Sequence, residues 1–234
     1  MAQSTAQDKK TRIAIYDMDK TVTRRATYTG FLLHVVKNRR PWRLLFAPLL
    51  LPGLLLYALK IWQRKQLKQF ALRLLVGRRI KRDELASYLE SHAELVLAGN
   101  VYPELRARVR EEKAAGYTHI MATASYRLYV SAIARRLDFE EVIATDLVVG
   151  DSGYVLAQID GYNCYADAKL DRVKTWMAAA GLARQDCHIR AYSDHVSDAP
   201  LLDFADEAFA TNPHPPLVTM AQARGWAIID WRYK

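Results

Sequence analysis

The sequence predicts an α/β protein: a parallel sheet covered by helices on both faces and interrupted by a long helical insertion. Three observations predict it. Residues 11–16 (TRIAIY) are a short apolar run that stops at Asp17, as a buried strand does. After residue 100, apolar β-rich runs alternate with stretches of helical spacing, which implies parallel strands joined by crossover helices. Between these two parts, residues 27–99 carry helical patterns almost throughout.

The elements follow in chain order. Residues 1–10 are polar and have no apolar centre, so a disordered tail is expected there and a signal peptide is not. Residues 11–26 begin the core. The insertion, 27–99, holds helical patterns at 28–36, 44–59, 66–76 and 83–97, and is expected to form an all-helical cap. The core resumes over 100–234. Helix 103–115 stops at Gly116, strand 117–122 follows, and a helix at 127–137 precedes strand 141–145. Residues 147–159, with Gly-Asp-Ser-Gly in the middle, predict a β-hairpin. Helix 167–180 ends at Gly181, and strands are expected at 187–192, 208–211 and 226–231, with a helix at 217–224. The core is thus Rossmann-like, and its site should lie beyond the carboxyl ends of the strands.

Half of the 234 residues are hydrophobic (51 %), enough for a packed core and too many for global disorder. Cys164 and Cys187 form no CxxC motif and fit a reducing cytoplasm; Cys164 reads as a packing residue. The net charge is +9, and no acidic residue occurs between Asp19 and Asp83, a stretch that holds Arg24, Arg25, Arg39, Arg40, Arg43, Arg64, Lys65 and Lys68 among others. A run this long and of one sign points to an anionic partner. Its charges are not regularly interleaved with aromatic residues, so an anionic membrane surface is expected rather than nucleic acid.

Chemistry-bearing residues gather at the strand ends. The first strand delivers Asp17-Met18-Asp19-Lys20-Thr21, the second Thr123-Ala124-Ser125, and a later one Ser193-Asp194 followed by Asp198; Lys169 opens the helix after the hairpin. One aspartate at a strand end can simply cap a helix. Four such positions in succession argue for a site. Ser125 either contacts a ligand or caps its helix; His195 reads as a surface-loop residue, and Tyr162 and Tyr165 as packing residues. No zinc-binding set is present.

This ordered set resembles the haloacid dehalogenase superfamily of phosphatases, with DMDKT as its DxDxT motif, Thr123, Lys169, and Asp194 with Asp198 as the later motifs. The resemblance implies a phosphomonoester hydrolase with Asp17 as nucleophile and Asp19 as general acid and base. It implies phosphate binding by Thr123, Ala124, Ser125 and Lys169, backbone N–H groups after Thr123 helping at a helix start. It also implies Mg²⁺ held by Asp17, the Asp19 carbonyl and Asp194, with Asp198 in support. Lys20 stands where DxDGT forms carry glycine. The position of the insertion resembles the phosphoserine-phosphatase-like branch, whose cap glutamate binds a substrate amine; that position is Ala26 here, after Arg24 and Arg25, which disfavours a free amino-acid substrate.

Residues 44–59 (LLFAPLLLPGLLLYAL) are apolar and flanked on both sides by basic residues. The run falls short of the ~20 residues that span a bilayer, and Pro48, Pro52 and Gly53 suggest a helix–turn–helix dip. Asp17 precedes the run and the other site residues follow it, so both ends must lie on one side of a membrane. A re-entrant or interfacial segment is expected, monotopic or peripheral, its basic flanks on anionic lipid. The stretch resembles the cap of the phosphatidylglycerophosphatase C group, which implies a phospholipid substrate with a terminal phosphate, phosphatidylglycerophosphate, at the cytoplasmic face of a bacterial inner membrane. The alternative is a soluble phosphatase acting on a small phosphorylated metabolite or nucleotide.

Overall fold

The structure, a computed structural model, describes residues 10–150 and 153–232. Residues 1–9 of the expected 1–10 tail and two residues of the hairpin tip lie outside the described residues.

The core is a six-stranded parallel sheet in the order β4-β3-β1-β7-β8-β9. Its strands are β1 Thr11–Tyr16, β3 Tyr117–Tyr126, β4 Glu141–Thr145, β7 Cys187–Ser193, β8 Glu207–Thr211 and β9 Ala227–Ile229. Helices α5 Pro103–Ala114, α6 Arg127–Arg136, α7 Asp167–Ala179, α8 Ala199–Phe204 and α9 Pro215–Arg224 connect them. The central strand β1 is buried from Ile13 to Tyr16. Its side chains alternate between two cores: Ala14 and Tyr16 join one, Ile13 and Ile15 the other, as the period-two geometry of a strand requires.

An aromatic ladder fixes the sheet just below the site. Tyr16, Tyr192 and Phe209 occupy paired positions on β1, β7 and β8. Their rings stack at 4.0 and 4.5 Å. Glu112 on α5, almost wholly buried, accepts hydrogen bonds from both tyrosine hydroxyls. Asp17 and Ser193 directly follow these tyrosines, so the ladder restrains the start of both site loops.

The insertion folds as α1 Thr27–Arg39, a 3₁₀ helix Pro41–Leu49, α2 Leu50–Ala58, α3 Arg64–Leu75 and α4 Arg82–Gly99. It is not all-helical. Strand β2, Arg79–Lys81, pairs antiparallel with β6, Tyr154–Ile159, which also pairs with β5, Leu147–Val149. Three residues are too few to show a period in the sequence, and their partner lies far along the chain. The hairpin therefore joins the cap to the core.

The apolar run also differs from expectation. No turn separates two helices; the 3₁₀ helix passes directly into α2. Pro52 falls in the first turn of α2, a position that tolerates proline. Gly53 serves close packing: a Cβ there would lie 2.9 Å from the Phe70 ring and 3.1 Å from the Trp62 ring. Arg43 donates to the carbonyls of Arg73 and Leu74 on α3. Arg43 just before the run and Gly53 within it thus hold the segment against α3 and Trp62. Pro41–Ala58 is long and apolar enough to cross a membrane by length and composition, and most of its residues are exposed on the cap. Leu45, Leu51, Leu55, Leu59 and Ile61 are all at least 60 % exposed.

Candidate active site

Asp17 leaves β1 with its N–H donated to the Tyr192 carbonyl at 2.9 Å. Lys169, on the first turns of α7, is buried and reaches Asp17 Oδ1 at 2.7 Å and Asp198 Oδ2 at 2.6 Å. Ser193 Oγ donates to the same Asp198 oxygen at 2.7 Å. The structure thus brings together residues more than 150 positions apart. Among the described residues, Asp17 Oδ2 accepts no hydrogen bond from protein, and Asp198 Oδ1 is buried without a partner.

The electrostatics follow from burial. Desolvation pushes the Asp17 carboxyl well above the carboxylate range, and the Lys169 ammonium opposes it. Burial works against the charge on Lys169, but the carboxylates of Asp17 and Asp198 outweigh it and raise its pKa. The short contacts of Lys169 with both carboxylates, 2.7 and 2.6 Å, favour the ion-paired form. Asp194, also buried, is pushed up to about 6, by burial first and then by the charge of Asp198.

Asp19 is held by the cap. Its Oδ1 accepts from the Thr27 N–H (2.7 Å) and hydroxyl (2.8 Å), at the start of α1, and its Oδ2 accepts from Ser125 Oγ (2.7 Å). Ser125 thus orients Asp19 and does not cap a helix. Thr123–Ser125 lie inside β3, and α6 begins only at Arg127. The Ser125 N–H, expected free at a helix start, is taken by Thr123 Oγ1 at 3.1 Å. The strand runs on because β3 shifts register against β4 between Ala122 and Tyr126, a bulge-like irregularity of the kind found beside active sites.

Lys20 has φ +68, the left-handed conformation that glycine takes without strain. The turn forms with lysine nonetheless. Asn212 Nδ2 donates to the carbonyls of Lys20 (3.2 Å) and Thr21 (3.3 Å), while its Oδ1 accepts from the Trp231 N–H (2.7 Å). Sequence reasoning did not assign that role to Asn212.

It also missed Lys68. This cap lysine is buried, donates to the Ala124 carbonyl (2.7 Å) and Asn163 Oδ1 (3.0 Å), and lies 4.4 Å from the centre of the Tyr126 ring. Burial lowers its pKa to about 7, partly opposed by Asp19. A signal existed: residues 68, 71, 72 and 75 form the buried stripe of α3, and a lysine on such a stripe calls for a partner. His195 is no free surface residue either; it is half-buried, lines the cavity over Asp17 and stacks on His214 at 4.2 Å. Tyr162 is 80 % exposed, against the packing expected of it, whereas Tyr165 lies under the Arg64 guanidinium at 4.2 Å. Cys164 packs in the core.

A haloacid dehalogenase-like hydrolase profile matches residues 14–203. The chain belongs to that family. A protein of unknown function from Bordetella pertussis Tohama I is 30 % identical and superposes with a TM-score of 0.85 over 95 % of this chain and 99 % of that one. A probable phosphoserine phosphatase from Vibrio cholerae, 15 % identical, shares the fold with a TM-score of 0.67 over 95 % of this chain and 62 % of its own. A probable phosphatase of Mycobacterium tuberculosis is 29 % identical over 131 residues, 56 % of this chain and 44 % of that protein. The chain spans less than half the length of the first of its curated relatives.

Haloacid dehalogenase-like phosphatases generally use Mg²⁺, and the residues present fit one. Mg²⁺ takes one or two carboxylates and fills its octahedron with water and substrate oxygens. Asp17 and Asp194 supply two carboxylates, and the buried, unpartnered Asp198 Oδ1 marks negative charge in excess of Lys169. Among the described residues no cage of three or more His, Cys, Asp or Glu side chains exists.

Proposed function

We propose that the protein is a phosphomonoester hydrolase that removes the terminal phosphate of a membrane lipid, phosphatidylglycerophosphate being the substrate the cap suggests. One observation carries the lipid reading: a single cavity is lined both by Asp17, Asp19, Lys169 and Asp194 and by Leu44, Leu50 and Leu54 of the apolar run. A soluble cap would hide its leucines from water, and a patch this large marks an interaction surface. The basic residues beside it suit the anionic cytoplasmic face of a bacterial inner membrane.

The chemistry follows from the residues. Lys169 occupies Asp17 Oδ1 and leaves Oδ2 to attack phosphorus. The P–O ester bond breaks, and Asp19 passes a proton to the departing alkoxide. The aspartyl phosphate on Asp17 is then cleaved by water, whose proton Asp19 accepts, returning the free carboxylate and inorganic phosphate. Lys169 stabilises the charge on the equatorial phosphoryl oxygens. Mg²⁺, held by Asp17, Asp194 and the Asp19 carbonyl, supplies charge screening and orientation when bound.

Ala26, exposed at the cavity wall, offers no carboxylate to a substrate amine, which speaks against phosphoserine. Phosphate release from phosphatidylglycerophosphate, phosphoserine and an aryl phosphate tests the reading. A clear preference for the lipid is expected; equal or faster turnover of a small metabolite would replace it with the soluble alternative.

A further inference from the structure

The cavity over Asp17 changes character along its length. Asp17, Asp194 and Lys169, all buried, line it together with Lys68, which touches the Ala124 carbonyl, and Arg64; Leu32 of α1, Ala71 one turn along α3 from Lys68, and the half-buried Leu44, Ala47 and Leu50 of the 3₁₀ helix and the start of α2 line it as well. We propose that this outer, apolar limb binds one hydrocarbon chain of the substrate lipid while the phosphate reaches Asp17. The inference rests on the lipid reading above and adds a site to it.

The helix geometry carries the argument. A 3₁₀ helix has three residues per turn, so side chains at i and i+3 eclipse. Leu44, Ala47 and Leu50 therefore share one face, and all three line the cavity half-buried. Leu45 and Leu49, on the other faces, are 81 and 53 % exposed. The segment is apolar on two sides: one side meets the surroundings and the other walls a cavity open to the active site. Docking on a bilayer accounts for the first side alone. The cavity measures about 650 Å³, within the ~300–1,000 Å³ of pockets that enclose sizeable ligands and larger than a phosphate needs.

Charge marks where the anion ends and the hydrocarbon begins. Lys68 spends two of its three N–H bonds on Ala124 and Asn163 and sits at the boundary, with the more exposed Arg64 beside it. Apart from Tyr28 and Thr29, the rest of the cap's lining is hydrocarbon. An acyl chain attached to an anionic headgroup matches this order of surfaces; a polar metabolite would leave the outer limb wet and unmatched.

Monomeric n-alkyl phosphates, ethyl to decyl, test the limb without any membrane. Wild-type kcat/KM should rise with chain length, by at most about fourfold per methylene, until the limb is full. Ala47→Trp should collapse the decyl-to-ethyl ratio toward one, and the milder Ala47→Leu should lower it, with thermal unfolding reporting that each variant is folded. A wild-type ratio near one overturns the limb even if lipid in vesicles is hydrolysed, and so does an unchanged ratio in Ala47→Leu and in folded Ala47→Trp. A rising alkyl series with no turnover of phosphatidic acid or phosphatidylglycerophosphate in phosphatidylcholine vesicles overturns the lipid source and, separately, the lipid reading.

Discussion

Replacing Leu45, Leu51, Leu55 and Leu59 together with serine should release the protein from membranes. These four side chains are 81, 65, 60 and 60 % exposed, between two and three leucines' worth of free apolar surface. Burying a leucine fully is worth about 1.5–3 kcal/mol, so the set can supply about 4–8 kcal/mol to membrane partitioning. Even half of the lower figure is more than a tenfold change in binding, and the whole of it is a factor of about 10³. Each nearby Lys or Arg adds about 1 kcal/mol on an anionic surface. That share should fade in high salt while the apolar share persists. The assay is co-sedimentation with phosphatidylcholine–phosphatidylglycerol vesicles at low and high salt, with turnover of ethyl phosphate as the folding control. Wild type is expected in the pellet and the quadruple variant in the supernatant. If wild type stays in the supernatant, or the variant pellets as well as wild type, the exposed run is not a membrane surface.

Three further outcomes are expected. Asp17→Asn should lower turnover by a factor on the order of 10³ or more, since an amide cannot form the acyl phosphate; circular dichroism should show the fold intact, and a loss under tenfold would dismiss Asp17 as nucleophile. Lys169→Met leaves Asp17 and Asp198 buried without their shared cation, so unfolding titrations should show a loss of about 3–5 kcal/mol; a change below ~1 kcal/mol would show that the pair contributes little. His92 is buried against Phe31 and Tyr129, and burial lowers its pKa to about 4. Neutral in the folded state and protonated in the unfolded chain below its ordinary pKa near 6.5, it keeps its full contribution at pH 7 and loses it as pH falls toward 4, by about 3 kcal/mol. Urea titrations at both pH values should show a smaller drop in His92→Gln; an equal drop would refute the assignment.

The strand-ending motifs were legible because each is local. A short apolar run closed by Asp17, and another closed by Ser193 and Asp194, announce strands and their loops without reference to the rest of the chain. The same holds for the helical insertion and for the apolar composition of 44–59, where side-chain chemistry alone sets the pattern. By itself the sequence determined the α/β class, the order of core and insertion, and which carboxylates and which lysine stand at strand or helix ends. Tertiary structure decided the rest. Pro48 and Pro52 look like breakers, yet Pro48 lies inside the 3₁₀ helix and Pro52 in the first turn of α2, and Gly53 allows a close approach to Phe70. Strand β2 exists only because β6 meets it. Ser125 serves Asp19 because a register shift carries β3 past Thr123. Lys68 reaches Ala124 only when α3 is laid across the mouth of the core. In each case the deciding partner lies far away in sequence, and burial, hydrogen-bond pairing and charge depend on what is near in space.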